Sequence, residues 1–285
     1  MLKQKVSKKT SKRQVLMLIS TIVVGVALVF NQLSGSQNLH SNNAPAPSSV
    51  SVQLDGIEIP AKIPNRNEII ITHTGFTISY NSDWKIPNWV AYELTDTEVA
   101  GEEPRSNRFM PDPNIAPEFS ATDDDYKGSG FDRGHMAPAA DMKWSKRAMK
   151  ESFYFSNICP QNHNLNAGVW NSLEEQVRAL ATQKGSIYVV CGPIVNKKPQ
   201  RIGKNAVVVP QRFFKALLLN DGGEWQAIGF LFVNTSGKQP LATYALSIHE
   251  LEEISGITFF PILPAEIANR VKSQVDFSKW TVVKK

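Results

Sequence analysis

Apolar and polar positions alternate in "FTISYN" (76–81) and again in "NWVAYEL" (88–94), which predicts an antiparallel pair of strands. In "NAGVWNSLEEQVRALATQKG" the apolar residues Val169, Leu173, Val177 and Leu180 recur at helical spacing, and Gly185 follows as a stop. That spacing predicts the principal helix. "SKRAMKESFYFSN" opens on Ser145, a good N-cap, and predicts a short helix running into a strand. "SIYVVCGPIV" is β-branched and almost wholly apolar, as a central strand would be. "NAVVVP", "RFFKALLLN" and "WQAIGFLFVN" continue the sheet, and "SIHELEEISGITFF" reads as a capped helix and then a strand. Residues 101–130 carry Gly, Pro, Asp, Asn and Ser without periodicity, so they form a long loop, and loops of that length are usually functional. Strands and helices mix without regular βαβ alternation. The fold class is therefore α+β, a mainly antiparallel sheet flanked by helices.

Charge changes this picture only at one end. The chain has 31 Lys and Arg against 26 Asp and Glu, a net charge of +5. Six of the basic residues (Lys3, Lys5, Lys8, Lys9, Lys12 and Arg13) precede residue 40, where there are no acids. Without them the remainder holds 25 basic and 26 acidic residues, so the basic character belongs to the N-terminus and says little about the folded part. "VLMLISTIVVGVALVF", Val15 to Phe30, follows without a charge. A basic start and an apolar run predict a signal peptide or a membrane signal anchor over 1–31. Residues 32–56, rich in Ser, Asn, Pro and Ala, predict a flexible stalk, and 57–285 the folded domain. The domain is then extracytoplasmic, either secreted or anchored to the membrane through residues 15–30. Two cysteines, Cys159 and Cys191, could pair as a disulfide in an exported domain, but both lie in apolar stretches, which favours separately buried thiols.

The chemistry concentrates in "DDDYKGSGFDRGHMAPAADMKWS" (123–145), where Arg133-Gly134-His135 stands between an acidic run and a basic one. His135 ends a strand-like run and precedes the Pro138 turn. The long helix offers Asn166, Trp170 and Glu174 at steps of four on one broad face. Asn166 and Glu174 are about 12 Å apart along a helix axis, too far for both to ligate one metal directly. If Asn166 is a direct ligand and Glu174 holds the metal's waters, the site suits a hard cation such as Mg²⁺ that keeps most of its hydration. A histidine neutral at pH 7 takes a proton from water, and an arginine neutralises a pentacoordinate phosphorane. Arg133 and Arg108 are the candidate phosphate contacts. Lys127, Arg133, Lys143, Lys146, Arg147 and Lys150 face only two acids between residues 127 and 150, a local basic surface of the kind that backbone binding needs. This chemistry fits phosphodiester cleavage. Each residue also has an ordinary reading: His135 as a satisfied structural histidine, Asn166 as a helix cap, Glu174 as a solvated helix position, Asp123–Asp125 as a solvated turn. His163 is a rival histidine, in a polar loop with no strand to fix it. Composition and spacing leave a nuclease and a nucleic-acid-binding module both open.

The residues also resemble a known family. "DYKGSGFDRGHMAPAADMKWS", "FYFSNICPQNHNLNAGVWNSLEEQVR", "YVVCGPI", "VVVPQRFFKALLL" and "SIHELEEISGITFFP" are similar to the DNA/RNA non-specific endonucleases, over roughly residues 66–263. The resemblance implies a ββα-metal motif with His135 as general base and Asn166 as the direct protein ligand of Mg²⁺, with Mn²⁺ as a substitute. Glu174 would anchor the metal's water shell, and Arg133 and Asn157 would support phosphate binding and the geometry of the site. Arg108 matches an upstream arginine, with Arg105 close by, and Asp132 is an orienting residue. The implied reaction cuts DNA and RNA through backbone contacts, including Lys143, Lys146 and Arg147, and leaves 5′-phosphate ends. The resemblance allows a homodimer. The alternative function is a catalytically weak, membrane-tethered DNA-binding or uptake protein on the same fold.

Overall fold

The computed structural model describes residues 55–235 and 237–282. The predicted export segment and nearly all of the predicted stalk lie outside the described residues. Among the described residues, no helix is long and apolar enough to cross a membrane.

In chain order the strands are β1 (Ile69–Thr72), β2 (Thr77–Asn81), β3 (Ile86–Thr95), β4 (Asp132–His135), β5 (Ile158–Gln161), β6 (Ser186–Ile194), β7 (Arg201–Ile202), β8 (Val207–Val208), β9 (Arg212–Asp221), β10 (Glu224–Val233) and β11 (Ala245–Leu246). Seven of them form one sheet in the order β1-β2-β3-β6-β9-β10-β11, with every neighbouring pair antiparallel. The apolar strand β6 is in the middle, as its composition predicts.

Strand periodicity divides this sheet between two cores. Val90, Tyr92, Leu94, Ile187, Val189, Cys191, Phe213, Leu217 and Leu219 point to one face and pack with Leu173, Val177, Leu180 and Ala181 of the Asn171–Lys184 helix. Trp89, Ala91, Val190, Phe214, Ala216 and Leu218 point to the other, under Ile248 and Leu251 of the Ile248–Ser255 helix and Val271 of the Ala265–Lys272 helix. Covering both faces explains why β6 and β9 read as continuous apolar runs rather than alternations. Each fully buried Leu or Val contributes roughly 1.5–3 kcal/mol, so a charge at Val177 would break the helix-to-sheet contact.

The caps follow the sequence. Ser145 accepts from the Ala148 amide at the start of the Lys146–Ser152 helix. Ser247 and Glu250 form a capping box at the Ile248–Ser255 helix. Two expectations differ. β8 does not join the main sheet; it pairs with β7 in a small separate hairpin. It is bounded by Ala206, at φ 55°, and by Pro210, which has no N–H for a ladder. No strand follows Gly256 either. Phe259 and Phe260 are buried as plugs in the second core, and Phe260 has φ 50°, which a strand does not accommodate. Cys159 and Cys191 are both buried and free.

Candidate active site

β4 and β5 form their own antiparallel pair, with Asp132 opposite Gln161 and His135 opposite Ile158. The chain then turns straight into the helical run that begins at His163. This is a ββα unit. Along β4, Arg133 and His135 are two residues apart and so share a face. Gly134 faces the other way, where a Cβ would lie 2.2 Å from Oε1 of Gln161. The glycine between the arginine and the histidine is what lets β4 lie on β5.

The helical run is not one regular helix. Asn162 caps it by accepting from the Asn164 amide. A π-turn spans Asn166–Trp170, with Gly168 at φ −103°, ψ −117°, before the regular Asn171–Lys184 segment. π-turns inside helices are frequent at functional sites. Here the irregularity lies between Asn166 and Glu174, the two residues the sequence puts on one helix face.

His135, Arg133, Asn166 and Glu174 line a single cavity of about 240 Å³, together with Arg105, Phe109 and Asn171. His135 is held by aromatic rings: the Phe153 ring meets it edge-on at 4.8 Å between centroids, and Phe109 lies at 5.4 Å. Its Nε2 is buried without a hydrogen-bond partner. Burial first, then the charges of Arg105 and Arg133, push its pKa down to about 3, so the imidazole is neutral. Asp132 takes a hydrogen bond from Asn166 Nδ2 at 2.9 Å, which leaves the Asn166 amide oxygen unclaimed by that bond. The same carboxylate oxygen lies 3.0 Å from Nδ1 of His163. His163 is exposed, tied to Asp132, and does not line the cavity.

Glu174 is buried, and burial is the main reason its pKa rises to about 7. Lys215 opposes that rise and Asp141 adds to it. Lys215, only 1% exposed, has its Nζ 4.5 Å from the centre of the Trp170 ring. Beside it, the buried Asp141 pairs with Arg178 at 2.9 Å and accepts from the Tyr92 hydroxyl at 2.8 Å.

Several predicted residues stand elsewhere. Arg108 is exposed and does not line the cavity; Arg105, three residues earlier, does, with its guanidinium 5.2 Å from the Phe153 ring. Asn157 is fully buried and does not line this cavity. Its amide donates to the Ala137 and Ser152 carbonyls, both at 2.8 Å, and accepts from the Ala137 N–H at 2.9 Å. Its amide is thereby committed to backbone partners on both sides of the His135 turn. Lys143, Lys146 and Arg147 do not line the cavity either, and Arg147 pairs with Glu151 at 2.8 Å. The acidic run is no plain solvated turn: Asp123 pairs with Arg133, and Asp125 is buried. Lys215 and Phe109 were legible only as apolar-strand and loop residues; an internal lysine in "RFFKALLLN" was the available signal.

The donor set fits a hard, hydrated divalent cation. It offers the Asn166 amide oxygen and the buried Glu174 carboxylate, with no thiolate. Among the described residues, no three His, Cys, Asp or Glu side chains cluster as a metal cage. A cation held here therefore keeps a largely aqueous shell.

The model of the DNA/RNA non-specific endonuclease family matches residues 55–266. The mitochondrial nuclease EXOG of Homo sapiens is 35% identical over 254 residues, covering 83% of this chain and 68% of that protein. The Xenopus laevis protein of the same name is 39% identical over 215 residues, 70% of this chain and 60% of that protein. A chain from a crystal structure of the EndoG/EndoGI complex superposes with a TM-score of 0.65 at 28% identity, over 68% of this chain and 86% of that one. With the ββα unit, the neutral buried histidine and the Asn166–Glu174 pair in one cavity, the chain belongs to the DNA/RNA non-specific endonuclease family of enzymes.

Proposed function

We propose that this protein is a Mg²⁺-dependent endonuclease that hydrolyses phosphodiester bonds of DNA and RNA and leaves 5′-phosphate ends. The observation that carries this reading is the meeting of His135, Arg105, Arg133, Asn166 and Glu174 around one cavity. His135 is the general base. Its Nε2 is enclosed, so proton exchange with the cavity goes through Nδ1. A base with a pKa near 3 is weak, but that value belongs to the substrate-free site. A phosphodiester anion between Arg105 and Arg133 opposes the coulombic part of that shift, while the larger part, which comes from burial, stays. The two guanidiniums then neutralise the phosphorane as charge develops. Asn166, whose amide nitrogen is held by Asp132, would hold the metal through its amide oxygen, and Glu174 would accept from the metal's waters. When bound, Mg²⁺, or Mn²⁺ in its place, supplies charge neutralisation at a non-bridging oxygen and an acidic water for the leaving oxygen.

The lysine-rich start and the Val15–Phe30 run support an extracytoplasmic location, secreted or anchored. Fractionation with a C-terminal tag tests this; soluble, full-length cytoplasmic protein would overturn it. For the activity, the purified protein should cut both plasmid DNA and RNA with Mg²⁺ and neither with EDTA. His135→Ala should lower the rate at least about a hundredfold while the fold persists. Near-full activity in His135→Ala with loss in His163→Ala would reverse the assignment. Plasmid binding without any cleavage would favour a tethered DNA-binding protein instead.

A further inference from the structure

We propose that a second cavity beside the catalytic one is a subsite for the nucleobase next to the cleaved phosphate, with Phe131 as its stacking face. The proposal rests on the nuclease reading above and names what that site takes beyond the phosphate. The second cavity measures about 450 Å³ and shares Phe109, Arg133 and Asn166 with the catalytic cavity, so the two are adjacent. That volume falls within the roughly 300–1,000 Å³ range of pockets that enclose small molecules.

Its charges and rings point to a base, not to a second phosphate. Lys127 and Arg133 are opposed by Asp123 and Asp132, and Arg133 also serves the cleaved phosphate in the neighbouring cavity, so this pocket holds no spare cation. A charge-balanced pocket has little to offer an anion, whereas a neutral aromatic ring needs only a flat apolar partner. Three aromatic side chains line it. Arg133 covers Phe109, with its guanidinium 4.4 Å from the ring centre. Tyr126 is 5% exposed and stacked on Phe155 at 5.6 Å. Phe131 is only partly buried, and its ring pairs with no other aromatic ring or cation among the described residues. Of the three rings it is the one not already paired.

The pocket is also built in advance. The turn that carries Asp123 and Lys127 is fixed through Asp125, which is buried and takes hydrogen bonds from the Thr122 amide at 2.8 Å, from Asn205 Nδ2 at 2.7 Å and from the Asn205 amide at 2.9 Å. The 203–205 loop lies so close that a Cβ on Gly203 would be 2.2 Å from Asp125 Oδ1. A wall that does not have to be ordered on binding keeps more of its contact energy. A base reaches Phe131 only when it is unpaired, so the subsite favours single strands without reading base identity.

The test uses short single-stranded DNA, intact or with abasic sites at every position, cut by the Mg²⁺-loaded protein. Stacking one base is worth about 1–3 kcal/mol, so Phe131→Ala should raise KM on the intact strand about tenfold, with the loss on KM and not on kcat. Phe131→Trp should restore it, and Phe131→Leu, which keeps the packing without a π face, should behave like the alanine variant. On the abasic strand Phe131→Ala should add no further loss. An equal loss on intact and abasic strands, or no rescue by tryptophan, would overturn the subsite and leave the nuclease reading standing. No cleavage of either strand by the unaltered protein would overturn both.

Discussion

Asn157→Ala separates a residue that touches substrate from one that builds the site. The side chain is fully buried and makes three hydrogen bonds to backbone: two donated, to Ala137 and Ser152, and one accepted, from Ala137. Ala137 is two residues beyond His135, and its neighbour Met136 also donates its amide to the Asn157 carbonyl at 3.0 Å. Alanine removes the side-chain partners of one buried N–H and two buried carbonyls. A buried polar group left unpaired costs about 1–3 kcal/mol. Allowing for some relaxation and for water entering the space, the total comes to roughly 3–5 kcal/mol. Against a typical domain stability of about 5–15 kcal/mol, that is a large fraction. Urea denaturation of the variant and the unaltered protein, followed by tryptophan fluorescence, measures it directly. The midpoint should fall with little change in slope. At low temperature, where the variant is still folded, cleavage should persist at a reduced rate, because the turn that holds His135 has loosened. A variant as stable as the unaltered protein, yet inactive, would refute this reasoning and put Asn157 on the substrate.

Three further outcomes follow from the same geometry. His135 has a folded-state pKa depressed from 6.5 to about 3, so the unfolded chain binds its proton first, and the stability it contributes is lost as pH falls through that window. Glu174, raised from 4.5 to about 7, acts oppositely and loses stability as pH rises, so the His135 contribution is read as the difference in urea midpoint between the unaltered protein and His135→Gln from pH 6.5 down to 5; parallel curves would contradict it. Asn166→Ala should sharply raise the Mg²⁺ concentration needed for half-maximal cleavage, and Glu174→Gln should do so more mildly; unchanged metal titrations in both would place the metal elsewhere. Reversing Lys146 and Arg147 to Glu should weaken binding to unrelated sequences alike and flatten its salt dependence. Since Arg147 already pairs with Glu151, most of that effect should come from Lys146, and single reversals can show it.

What the sequence made legible was whatever depends on period and spacing. β2, β3, β6, β9 and β10 follow from runs of two-residue period or unbroken apolar character, and the Asn171–Lys184 helix follows from its apolar stripe. Strand and helix spacing made His135, Arg133, Asn166 and Glu174 candidates, the resemblance to the endonuclease family supplied their implied roles, and the four do meet in one cavity. Loop geometry was not legible. Arg105 and Arg108 are three residues apart in a segment with no period, and only the packing of Arg105 against Phe153 selects it. The π-turn at Asn166–Trp170 leaves no trace in an apolar pattern, since Val169, Leu173 and Val177 are buried with or without it. Asn157 looked like a polar residue near a site, and nothing in its neighbours reveals that its amide is wholly engaged by backbone.

Lys215 balances the charge beneath the site. It belongs to an apolar strand, on the sheet face that looks towards the site, and a buried ammonium there would be very unfavourable alone. Its surroundings answer that: the Trp170 ring at 4.5 Å, and the carboxylates of Glu174 and Asp141, both of which feel its charge. Trp170 is itself wedged edge-on between Phe213 and Phe232, so the ring that receives the ammonium cannot move aside. Arg178 shares Asp141 from the helix, four residues after Glu174, and ties the two elements together through one buried carboxylate. The floor of the site is thus a charge-compensated layer between sheet and helix. It holds the Glu174 carboxyl, which burial raises to about 7, against the wall of a polar cavity. The regular face of the sheet supplies rigidity, and the buried lysine on it supplies the balance that lets Glu174 stay buried.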